Sequence, residues 1–149
     1  MMDSEALARR LAELADSKGA TEIVALDMRG LVSYTDFLVI CTGRNERQAA
    51  AIADEVGYRL KHDERLMPRQ VEGGPAAGWA VLDFLDCVLH VFTPEPRDRY
   101  RLELLWGDAP RLELGLAGEA LEHRAARARF APETGTAEQV FDLASDVTK

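Results

Sequence analysis

Apolar residues recur at helical spacing in two stretches of the first half of the chain. The first predicted helix covers residues 4–18, with Ser4 as its N-cap and Gly19 as its terminator. The second covers residues 46 to about 62 and follows Asn45, which resembles the first member of a capping box. Each helix has one apolar stripe, formed by Leu7, Leu11 and Leu14 in the first and by Ala49, Ile52, Ala53, Val56 and Leu60 in the second.

Apolar runs of strand length, bounded by turn residues, predict the strands. The run at 36–41 is apolar at nearly every position, which is typical of a strand covered on both faces. The predicted strands are residues 22–28, 36–41, 66–71 (the weakest), 79–84 and 87–92. The last two are separated by Leu85 and Asp86, a spacing that predicts a hairpin with a two-residue loop.

A third helix is predicted from Pro94 to about Trp106, with Thr93 as its N-cap and Gly107 at its end. The order αββαβββα predicts an α/β fold, in which a small mixed sheet of about five strands is flanked by helices. We expect residues 1–110 to form one domain. Residues 111–149 lack a wide apolar face and are predicted to be a weakly structured or disordered C-terminal tail.

The charge of the chain restricts its partners. Its 149 residues include 26 acidic and 18 basic residues, which gives a net charge of −8. An acidic protein without a basic cluster is repelled by nucleic acid phosphates, so a basic protein is the more natural partner. No long apolar run suggests membrane insertion or secretion, which predicts a cytoplasmic protein. Cys41 and Cys87 lie in apolar strands and are expected to be reduced and buried.

Catalytic chemistry has weak support in the sequence. Asp27, Asp36, Asp83 and Asp86 lie at predicted strand ends and could hold a divalent metal, but such aspartates also accept hydrogen bonds in turns. Neither a second carboxylate on one strand nor a phosphate-binding glycine loop accompanies them. His90 shares a strand face with apolar residues, as a packed histidine does. No metal or cofactor is expected.

The third helix is richer in charged and aromatic residues than a scaffold requires. Tyr100 and Glu103 lie beside an apolar ridge that includes Trp106. A solvated amphipathic helix is one interpretation. The other is a recognition surface, because aromatic and arginine side chains dominate the energy of interfaces.

Taken together, these segments resemble the ribosomal silencing factor family, also called Iojap-like. The resemblance covers residues 4–110, with the segments in the family's order and spacing. The matching segments are IVALDMRG (23–30), TDFLVICTG (35–43), Arg47-Gln48, IADEV (52–56) and Glu72-Gly73, then Trp79, Leu82-Asp83, Asp86, His90-Val91-Phe92, Arg97, Tyr100, Leu102-Glu103 and LWGDA (105–109).

The resemblance implies a fold like that of nucleotidyltransferases without their catalytic residues. It implies a homodimer, not an enzyme, that binds large-subunit ribosomal protein fourteen, blocks joining of the small subunit and represses translation when nutrients are scarce. The predicted partner-binding residues are Trp79, Asp83, His90, Arg97, Tyr100, Glu103 and Trp106. Of these, Tyr100 and Trp106 would supply apolar area and Asp83 and Glu103 would pair with basic groups. His90 and Trp106 are the most natural candidates for a structural role instead.

Two positions depart from the family pattern. The hairpin turn has Leu85 where the family usually has glycine, and Arg101 replaces a frequent aspartate. A two-residue turn of the commonest type needs positive φ at both positions, which is unfavourable for leucine. The alternative function is a metal-dependent nucleotidyltransferase-type enzyme acting on a nucleotide.

Overall fold

A computed structural model describes residues 2–74 and 77–120 of the chain. Within these ranges the five strands form one sheet in the order β1-β2-β5-β4-β3. β2 and β5 run parallel, and the other neighbouring strands are antiparallel. The predicted α/β fold with a small mixed sheet is therefore confirmed. The elements are α1 (Ser4–Ser17), β1 (Thr21–Asp27), β2 (Phe37–Thr42), α2 (Glu46–Glu64), β3 (Gln70–Gly74), β4 (Trp79–Asp83), β5 (Cys87–Phe92), α3 (Pro94–Tyr100) and α4 (Leu102–Leu105).

Both faces of the sheet are covered. Alternate residues of its strands point to opposite faces, and each face has its own apolar cluster. In β2, Phe37, Val39 and Cys41 pack under α1 and α2. Leu38 and Ile40 point to the opposite face, where they belong to a second apolar cluster. That second face is covered by the short α3 and α4 and by loops, so its cover is thinner. None of the helices in the described ranges is long and apolar enough to cross a membrane.

The beginnings of the first two helices are set by side-chain caps. Asp3, not the predicted Ser4, caps α1 by accepting a hydrogen bond from the amide of Ala6 at 2.7 Å. Asn45 caps α2 as predicted, by accepting one from the amide of Gln48 at 2.8 Å. The Gln48 side chain also donates to the carbonyl of Lys18, at 3.1 Å, and so ties α2 to the end of α1.

The prediction for β3 was wrong in position. α2 continues to Glu64, and Arg65 adopts a left-handed conformation with φ of 55°. The amides of Arg65 and Leu66 then both donate to the carbonyl of Leu60, which closes the C-terminal end of the helix. Residue 66 therefore belongs to the helix terminus, and the strand starts at Gln70.

The β4–β5 hairpin is closed by a turn centred on Leu85. Its φ is 76°, and the amide of Asp86 donates to the carbonyl of Phe84 at 3.0 Å. A hydrogen bond across one residue with positive φ defines a classic γ-turn, which is rare and strained for a side chain larger than glycine. The turn is therefore a γ-turn centred on a non-glycine residue with positive φ.

Residues 111–120, assigned to the tail from the sequence, lie against β1. Leu112 donates to the carbonyl of Ala25, and Ile23 exchanges backbone hydrogen bonds with Gly118 and Ala120 at 2.9 Å. This part of the predicted tail is packed more closely than expected, because β1 is an edge strand whose backbone groups need partners. The remainder, residues 121–149, lies outside the described residues.

Candidate partner-binding face

The predicted third helix is divided in two at Arg101. This residue has a φ of 47°, and its amide donates to the carbonyl of Arg97, which ends α3. The carbonyl of Arg101 accepts from the amides of Leu104 and Leu105, which begins α4. The prediction of one continuous helix over residues 94–106 was wrong because a single left-handed residue turns the chain there.

Arg97 is buried although it is charged. Its Nε lies 3.1 and 3.3 Å from the two carboxylate oxygens of Glu103, and its Nη1 donates to the Thr42 hydroxyl at 2.8 Å. Only 7% of the Arg97 side chain and 15% of the Glu103 side chain are exposed. Removal of one partner of such a pair typically destabilises a protein by about 3–5 kcal/mol. Arg97 therefore connects β2, α3 and α4.

A stack of aromatic rings lies beneath α3. The Trp79 ring is fully buried, with its centroid 4.4 Å from that of Tyr100 and 4.7 Å from that of Phe92. Its indole Nε1 donates to Nδ1 of His90 at 2.9 Å. Trp79 and His90 are therefore buried beneath the surface of the protein and are not part of it.

The buried histidine and the two buried cysteines are neutral near pH 7. Burial, and to a smaller extent the charge of the nearby Arg97, lower the pKa of His90 to about 3. Burial raises the pKa of the Cys41 and Cys87 thiols to about 12, and both cysteines are free. Neither thiol is a nucleophile near neutral pH, because the thiolate is the reactive form.

Asp83 also has its partners within the chain. Its carboxylate accepts hydrogen bonds from Arg69 at 2.9 Å and from the amide of Leu85 at 2.8 Å. Only 3% of its side chain is exposed. Asp83 therefore braces the strained hairpin turn, and Glu103 is likewise engaged by Arg97. The geometry places both carboxylates in internal roles.

Three predominantly apolar side chains of residues 100–106 remain partly exposed on this side of the sheet, as do Val32 and Tyr34. Tyr100, Leu105 and Trp106 pack against the second cluster while keeping part of their surface accessible. We call these three residues the candidate face. Exposed Asp98 and Asp108 flank it along the chain. Within the described part of the chain, the indole nitrogen of Trp106 is buried and has no hydrogen-bond partner.

The strand-end aspartates do not assemble into a metal site. Asp27 pairs with Arg29 through contacts of 2.7 and 2.9 Å, and hydrogen bonding from the Arg29 side chain lowers the pKa of its carboxyl. In residues 2–74 and 77–120 no group of three or more histidine, cysteine or acidic residues is placed to hold a metal ion.

A shallow groove of about 350 Å³ lies on the opposite side of the sheet, between α2 and the β3 edge. Most of its lining residues are small and apolar, and Asp54 is the charged residue among them. It lacks the converging polar groups that fix a small ligand.

Comparison with known proteins identifies the family. The family model described as "Ribosomal silencing factor during starvation" matches residues 1–141. The chain belongs to this family. Ribosomal silencing factors are ribosome regulators, so translation regulation and ribosome association are the functions of the family to which the chain belongs.

Curated relatives and a solved structure agree with this assignment. The ribosomal silencing factor of Halalkalibacterium halodurans is 38% identical over 113 residues, which are 76% of this chain and 96% of that protein. That of Bacillus subtilis is 38% identical over 114 residues, covering 76% and 95%. A crystal structure of a Chromobacterium violaceum protein superimposes with a TM-score of 0.68 at 28% identity, covering 81% of this chain and 98% of that one.

Two residues that form or support the candidate face had not been proposed as functional from the sequence. Leu105 belongs to the candidate face together with Trp106, the next residue in the chain. Thr42 supports Arg97 from the end of β2, 55 positions earlier in the chain. No feature of the sequence near Thr42 indicates a contact with Arg97. The one general indication is that a hydroxyl group at the end of a buried strand needs a hydrogen-bond partner.

Proposed function

We propose that this protein binds the large ribosomal subunit through the candidate face and contacts large-subunit ribosomal protein fourteen there. The observation that carries the proposal is the partly exposed aromatic surface of Tyr100 and Trp106, in which Tyr100 packs on the buried Trp79 ring. Aromatic side chains held in one conformation supply contact area at low entropic cost, and such residues dominate interface energies.

Charge supports a basic protein as the partner. The chain has a net charge of −8, and exposed Asp98 and Asp108 flank the candidate face along the chain, as do exposed Arg99 and Arg101. Opposite charge accelerates the encounter of two proteins and selects their relative orientation. Since Asp83 and Glu103 are paired internally, the exposed aspartates are the better candidates for contacts with basic side chains.

The consequence of binding follows from the family resemblance. A protein seated on the intersubunit side of the large subunit blocks joining of the small subunit and so represses translation when nutrients are scarce. In this proposal the protein acts in the cytoplasm as a homodimer, needs no cofactor, performs no catalysis and makes little direct contact with ribosomal RNA.

A subunit-joining experiment tests the proposal. Large subunits are incubated with the protein, small subunits are added, and joined ribosomes are separated on a sucrose gradient. The parent protein should reduce joining and sediment with the large subunit. Unchanged joining, with no protein in the large-subunit fraction, would contradict the proposal.

A matched pair of variants tests the surface. Trp106→Ala removes an aromatic anchor of the candidate face, which should weaken binding by about 2 kcal/mol or more. Tyr58→Ala removes an aromatic side chain that is 58% exposed on α2, on the other side of the sheet, and should bind as the parent does. Equal loss in both variants would argue against the candidate face.

A further inference from the structure

The buried Arg97 side chain connects three elements of the fold. Its guanidinium reaches Thr42 at the end of β2 and Glu103 in α4, while its own backbone lies in α3. A planar guanidinium with several N–H groups in fixed directions can hold two acceptors at once. The side chain therefore fixes α4 relative to the sheet.

α4 depends on such support because it has only four residues. A helix of this length is unstable by itself, since the cost of its first turn is not repaid by further hydrogen bonds. The left-handed Arg101 before it separates it from α3. Leu102 and Leu104 of α4 are buried, and the Arg97–Glu103 pair is a polar contact that ties α4 to α3.

We infer that Arg97 is a positioning residue of the candidate face: through Thr42 and Glu103 it holds α4 in the orientation that presents Trp106 beside Tyr100. This inference rests on the proposed function and names the residue that shapes its surface. Arg97 itself is 6% exposed and acts through its neighbours without touching the partner.

Thr42 offers the sharpest test, because it is buried in β2 and cannot reach a partner. Thr42→Val removes the hydroxyl that accepts from Arg97 and keeps the shape of the side chain. Loss of this hydrogen bond to a charged group should loosen the position of α4. The affinity for large subunits should then fall about tenfold. Thr42→Ser retains the hydroxyl and should restore binding. Arg97→Met should weaken binding more than Thr42→Val does.

Two controls separate positioning from general destabilisation. Val56→Ala leaves a cavity under α2, on the other side of the sheet. Its affinity for large subunits is measured at a temperature at which all variants are folded. Arg59→Met removes an arginine of α2 whose side chain is 49% exposed and pairs with Glu55. Both should bind large subunits as the parent does.

Amide hydrogen exchange gives a second, binding-independent readout. In Thr42→Val, the amides of residues 101–106 should exchange faster than in the parent, while those of β1 should not change. Parent-like exchange and affinity in Thr42→Val, or an equal loss of affinity in Val56→Ala, would overturn the inference. Failure of the parent to bind large subunits would overturn the proposed function instead, and exchange would still decide the role of Arg97.

Discussion

The buried imidazole of His90 should make the protein less stable in mild acid. Its pKa is lowered to about 3, because the ring is buried and close to Arg97. The unfolded chain, with an ordinary pKa of 6.5, takes up a proton at a higher pH. Acid therefore favours the unfolded state. The stability that the neutral His90 side chain contributes is fully present above about pH 6.5 and is lost progressively as the pH falls toward 3.

The size of the effect follows from the two pKa values. Each pH unit below the unfolded pKa costs about 1.4 kcal/mol until the folded pKa is reached. Between about pH 8 and pH 5, this one group should lower the free energy of unfolding by about 2 kcal/mol. That is a large part of the roughly 5–15 kcal/mol that stabilises a domain.

Urea unfolding of the parent and of His90→Gln at the two pH values measures this contribution. The glutamine oxygen can still accept the hydrogen bond from Trp79 Nε1, but the side chain does not titrate. The decrease in the free energy of unfolding from about pH 8 to pH 5 should be smaller in the variant by about 2 kcal/mol. His62→Gln, which removes an exposed histidine from α2, is the control. Equal acid sensitivity of His90→Gln and the parent would refute the reasoning.

Three substitutions test the backbone geometry by denaturant unfolding. Leu85→Gly should stabilise the protein by up to about 1 kcal/mol, since it relieves the positive φ of the turn; a loss of stability would contradict the γ-turn. Gly118→Ala should destabilise by about 1–3 kcal/mol, because its Cβ would lie 2.1 Å from the carbonyl oxygen of Ala20; parent-like stability would show that residues 111–120 are loosely held. Gly57→Ala, with open space around its Cβ within α2, should stabilise by about 0.5–1 kcal/mol, and a decrease would indicate a clash in the groove.

Elements with a local cause could be predicted from the sequence. The uninterrupted apolar run of β2 predicts a strand covered on both faces, and its six residues are all buried. Asn45 marks the beginning of α2 because its side chain bonds to an amide only three residues away. Such signals act over one or two turns of chain, which a single sequence displays directly.

Features that depend on distant contacts could not be predicted. The left-handed conformation of Arg101 is maintained by the surrounding fold, since nothing in the residue type favours it. The parallel pairing of β2 with β5 brings the end of β2, and with it Thr42, to within reach of Arg97. The spacing of charged and aromatic residues indicated the right segment, but it could not distinguish buried Trp79 and His90 from the more exposed Tyr100 and Trp106.

Site-specific crosslinking tests the central claim most directly. A photoreactive phenylalanine analogue replaces Leu105 in the candidate face, and a second variant carries it at Tyr58 on α2. After irradiation with purified large subunits, the account predicts a crosslink from position 105 to large-subunit ribosomal protein fourteen and none from position 58. A crosslink from position 58 alone, or from position 105 only to ribosomal RNA, would contradict it.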